Sequence, residues 1–177
     1  MSVKETTASA PDYIRTPTSV LMKKFERDAG AWKTIEWLVD AVVPDMDQPQ
    51  SRGVTGRMMH DDNDSAFIWQ GLSLEFFKDG GESYWYNLMS EAPRLFVVVE
   101  IDESDASAIP IPTLVTASQD EAVAHMETDD IVHSVAMPAS IIESLERFVV
   151  HHYVPFVKKK RKRKEWRENS DFEKRKR

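Results

Sequence analysis

Five histidines, His60, His125, His133, His151 and His152, are the side chains best suited to proton transfer or metal binding in this chain. None lies in an H-E-x-x-H or H-x3-H setting with an acid at ligand spacing. His151 and His152 are adjacent, so on a helix they face different sides, and a helix C-terminus favours histidine through its dipole without any metal. The absence of cysteine removes disulfides, thiolate metal sites, iron–sulfur clusters and thiol nucleophiles together. Asp61, Asn63 and Ser65 are spaced like the first ligands of a calcium loop, but Ala66 and Leu72 stand where its glycine and closing glutamate belong. Turn formation explains that cluster better. There is no G-x-S-x-G elbow and no G-x4-G-K-S/T phosphate loop. The many carboxylates are spread as a solvated acidic face. No catalytic residue, cofactor-binding residue or metal ligand is therefore expected, and the chain reads as a non-catalytic protein.

Charge supplies the feature with most content. The net charge is −7, but residues 158–177 hold 12 of the 23 basic residues and 4 of the 30 acidic ones, a net of +8. The remaining 157 positions carry −15. Such a body repels nucleic acid and anionic lipid, so either would have to be met by the tail alone. The expected partner-binding residues are the run Lys158, Lys159, Lys160, Arg161, Lys162, Arg163 and Lys164, with Trp166 beside it as an aromatic contact. The N-terminus has no apolar signal region, and no stretch is long enough to span a bilayer, which predicts a cytoplasmic protein without a transmembrane segment.

The elements that carry these residues follow from periodicity. Residues 1–16, rich in Thr, Ala, Ser and Pro, read as a disordered lead-in. Ser19–Glu26 reads as a strand. Lys33–Val43 places Ile35, Trp37, Val39, Ala41 and Val43 at period two; Trp32, Ile35, Val39 and Val42 also recur at helical spacing, but β-branched and aromatic content favours a strand. Gly53–His60 suggests a short edge strand. Ala66–Lys78 sets Ile68, Leu72, Leu74 and Phe76 on one face and Phe67, Trp69, Gly71, Ser73 and Glu75 on the other. A helix over Glu82–Ser90 presents Tyr84, Trp85, Leu88 and Met89, and Pro93 stops it. Arg94–Ile101 is apolar on both faces, as a central strand should be. Ile109–Ala117 is a strand whose Pro110 and Pro112 keep its start at an edge or in a loop. Ser118 and Glu121 form a capping box ahead of a short helix, Ile131–Ala136 is a last strand, and Pro138 opens a helix striped with Ile141, Ile142, Leu145, Phe148 and Val149. This order predicts an α+β domain over 17–157, a mostly antiparallel sheet with about three helices, followed by a disordered basic tail over 158–177.

Two resemblances bear on function. Gly53–Asp62, GVTGRMMHDD, is similar to the glycine-rich nucleotide loop of molybdenum-cofactor guanylyltransferases, G-x-S-x-R-M-G-x-D-K. Met59 replaces its second glycine, and Asp62 replaces its phosphate-binding lysine, which reverses the required charge. From Ser19 to Lys164 the chain resembles a bacterial family of unknown function whose genes lie beside those of molybdenum- or tungsten-dependent formate dehydrogenases. The landmarks are Trp32 with Trp37, GLSLE (71–75), Tyr84 with Asn87-Leu88, APRLFVVV (92–99), VTAS followed by Glu121-Ala122, Met137-Pro138, and FVVHHYVPFVKKKRKRK (148–164). That resemblance implies an accessory protein of formate dehydrogenase biogenesis. Its partner would be a formate dehydrogenase subunit or a maturation factor, with the tail as docking element. A nucleic-acid-binding or regulatory protein acting through the tail is the alternative, and a guanylyltransferase-like enzyme a more remote one.

Overall fold

The computed structural model describes residues 11–155 apart from 30–31, 46–54, 62–63, 103 and 106–107. The strands are β1 (Tyr13–Ala29), β2 (Trp32–Pro44), β3 (Thr55–Asp61), β4 (Asp64–Phe77), β5 (Arg94–Glu100), β6 (Ile111–Thr116) and β7 (Ile131–Ala136). The helices are α1 (Gly81–Leu88), α2 (Gln119–Glu127) and α3 (Ala139–His152), with a 3-10 turn at Lys78–Gly80 leading into α1. One sheet runs in the order β2-β1-β4-β6-β5-β7, with β3 paired to β4 beside that path. Every pairing is antiparallel except β4 with β6, which meet at Leu74 and Val115. The expected α+β class and mostly antiparallel sheet are what the chain forms.

The sheet curls enough for β2 and β7, at opposite ends of the strand order, to come against each other. Its inner face carries Val20 and Met22 of β1, Leu72, Leu74 and Phe76 of β4, and Leu95, Val97 and Val99 of β5. Helices α1 and α3 close this core with Tyr84, Ile141, Leu145, Phe148 and Val149. Val98 points the opposite way on β5 and is 2 % exposed, with α2 packed on that side through Ala122. This is why RLFVVVE is apolar on both faces.

Two register shifts in the pairings of β1 alter the expected alternation, and a third lies at Val98 and Val99 in the pairing of β5 with β6. Between Thr18 and Val20 of β1 the partner skips from Leu72 to Trp69, and Gly71 there adopts a φ of 90°. The extra residue turns Trp69 onto the core face with Leu72, Leu74 and Phe76, while Ile68 faces away from them. The expected face that grouped Ile68 with Leu72, Leu74 and Phe76, and set Trp69 opposite them, is therefore corrected. A second shift, opposite Leu21 and Met22, lies between Val39 and Ala41 of β2. It buries Val39 and Val42 and leaves Val43 exposed, so the helical-looking spacing in this stretch belongs to a bulged strand.

Order also begins earlier than expected. Residues 13–16 fall within the expected lead-in, but Tyr13 opens β1, its ring 5.1 Å from that of Phe77, and Ile14 pairs with Phe76. Met89, expected on the packed face of α1, is the C-cap residue and is exposed. Pro112 is buried in β6 but pairs only towards β5, because the contact with β4 is confined to Val115.

Candidate functional site

The expected docking residues Lys158–Lys164 and Trp166 lie outside the described residues. Of the glycine-rich segment, Thr55–Asp61 is a strand paired along its length with β4. It does not form the turn into a helix that a phosphate cradle requires. Gly56 has a packing reason instead: a Cβ there would stand 2.1 Å from the Phe67 ring and 2.7 Å from Trp69.

Among the described residues the histidines do not gather into one site. His125 Nδ1 lies 2.7 Å from Asp130, whose carboxyl is held below the usual range by hydrogen bonds from His125 and Thr128. His151 Nδ1 lies 2.6 Å from the Arg147 carbonyl, whereas His152 stacks on Phe148 at 4.5 Å and reaches the Pro11 carbonyl. No group of three His, Cys, Asp or Glu side chains among the described residues is arranged to hold a metal ion.

Three clefts stand out among the described residues. One, of about 370 Å³, lies where the starts of α1 and α2 meet and is rimmed by Asp79, Glu82, Asp120 and Glu121. Its polar atoms have structural duties: the Ser118 hydroxyl accepts from the Glu121 N–H and donates to Ser83, which also accepts from the Asp120 N–H. A second, of about 240 Å³, runs between α3 and the ends of β1 and β2.

The third has the character of a binding site. It is the mouth left where β2 approaches β7, with a volume of about 230 Å³. Ile35 and Trp37 of β2, Val99 of β5, Ile131 and His133 of β7, and the following Ile101, Ala108 and Pro110 line it, with Glu36 at its rim. An apolar concavity with a few convergent polar groups is the usual form of a small-ligand site. Burial lowers the His133 pKa from its ordinary 6.5, opposed by the Glu36 carboxylate, so the imidazole is neutral at pH 7. Trp37 continues the lining inward by an edge-on contact with Phe67 at 6.5 Å, and Phe67 packs on Trp69 at 4.8 Å. Thr18 Oγ1 and Trp69 Nε1, on that inner face, are buried with no hydrogen-bond partner among the described residues. The spacing of β2 puts Ile35 and Trp37 on one strand face, but nothing sets His133 apart from the other four histidines, since nothing in the chain signals that β2 and β7 meet.

Among the described residues no helix is long and apolar enough to cross a membrane. No curated protein and no solved structure matches the chain. A sequence family does: the chain belongs to the family described as protein of unknown function (DUF3305), whose profile matches residues 17–163.

Proposed function

We propose, from this family membership and the charge layout together, that the chain is a non-catalytic accessory protein in formate dehydrogenase biogenesis. It binds a protein partner, a formate dehydrogenase subunit or one of its maturation factors, and Lys158–Lys164 with Trp166 form the docking element. The observation that carries the reading is the segregation of charge: a net −15 over residues 1–157 against +8 over the last twenty. A cationic run on an anionic body is directed at an acidic surface elsewhere and speeds encounter by long-range attraction. The family match extends through Arg163, so it takes in most of this run. The link to formate dehydrogenase rests on the sequence landmarks from Trp32 to Lys164 and on the neighbouring genes of the family they resemble.

Affinity capture from native cells with the intact chain and with a version ending at Pro155, at low and moderate salt, tests this function. Recovery of a formate dehydrogenase subunit or maturation factor by the intact chain alone is the expected result. Unchanged formate oxidation and enzyme assembly after gene deletion would refute it. Recovery of nucleic acid alone moves the tail-dependent regulatory reading to first place. Contact with about six phosphates then gives a log–log salt slope of roughly −5.

A further inference from the structure

Ile35, Ile101 and Ile131 remain 46 %, 42 % and 44 % exposed although all three line the mouth between β2 and β7. Three large aliphatic side chains left open around one concavity forgo hydrophobic burial that a ligand would restore. Trp37 offers a flat aromatic surface within it, and His133 is the polar group seated among these apolar residues. A neutral imidazole presents one N–H donor and one lone-pair acceptor, so it recognises a single polar atom of either kind. The volume, about 230 Å³, lies below the roughly 300–1,000 Å³ of sites for drug-sized molecules and suits one ring or a fused pair. Glu36 at the rim and the −15 body disfavour an anion.

We propose that this mouth binds a small, uncharged aromatic or heteroaromatic molecule, packed on Trp37 and the isoleucine rim and hydrogen-bonded to His133. The site is independent of the accessory role above, and each stands or falls without the other. The ligand spans the gap between two strands that no ladder joins, so its binding ties the two ends of the curled sheet together.

Indole titrated into the full chain, observed by NMR at the Trp37 indole N–H and the His133 ring, provides the test, with indole-3-carboxylate as the anionic counterpart. The expected result is saturable shifts at both residues with indole, and binding at least about tenfold weaker for the carboxylate. His133→Phe keeps the apolar surface but loses the hydrogen bond, and weakens indole by about tenfold. Ile131→Trp and Ile35→Trp each fill the mouth from a different strand and abolish the shifts, while amide signals away from the mouth confirm the fold. Absence of saturable shifts with indole overturns the proposal. So do shifts that persist in both filled variants, or equal affinity for the carboxylate.

Discussion

Asn87 is 5 % exposed and uses both ends of its amide. Its Nδ2 donates to the Arg94 and Ala117 carbonyls, each at 2.7 Å, and its Oδ1 accepts the Arg94 N–H at 2.9 Å. One side chain thereby ties α1 to the start of β5 and to the residue after β6. Asn87→Leu leaves these backbone groups unpaired, and urea unfolding should show a loss of about 3 kcal/mol. Asn87→Asp should lose at least as much, since a carboxylate cannot donate to either carbonyl. His133 gives a pH signature. Above its unfolded value of 6.5 both states are neutral and it contributes no pH dependence. As pH falls through 6.5 the unfolded chain takes up a proton that the half-buried imidazole resists, so stability declines until the lowered folded value is reached. His133→Gln removes that component, and its stability should fall less steeply than wild type as pH drops below 6.5. Asn87 stood among the sequence landmarks without a reason; its three bonds supply one. His133 looked no different from the other four histidines, because burial is set by strands distant in sequence.

The elements themselves were largely legible. Period-two runs located the strands, and Ser118 caps α2 by accepting the Glu121 N–H, but the box is not reciprocal, since the Ser118 N–H donates to Thr116 Oγ1 and not to Glu121. Ser118→Ala should cost about 1 kcal/mol by chemical denaturation, through loss of the α2 cap and of the link to Ser83. Face assignments failed where strands are irregular. Period two holds only until an inserted residue reverses it, and Gly71 does so in β4. A side chain at a φ of 90° is strained, so Gly71→Ala should destabilise by about 1–2 kcal/mol. Trp69 should become more solvent-accessible in that variant, read as a red shift or easier quenching of its fluorescence. The same glycine begins GLSLE, so that landmark marks a bulge that reorients the inner face, and chemistry need not be invoked for it.

At the scale of the molecule, charge and curvature divide the work. The version ending at Pro155 keeps the core formed by the inner face with α1 and α3, and its urea midpoint should match that of the intact chain. Salt-sensitive association with an acidic partner should be lost, because the run Lys158–Lys164 is what long-range attraction acts on. Composition and local order by themselves determined the class, the strand and helix order, the absence of thiol chemistry and the opposed charges of body and tail. These depend on residue type and on neighbours a few positions away. Tertiary structure alone decided that Trp69 lies inside, that Gly56 makes room for Phe67, and that Ile35, Trp37, Ile131 and His133 meet across a mouth. Curling of the sheet brings together strands separated by most of the domain, and no local pattern in the chain records how far that curvature will carry its edges.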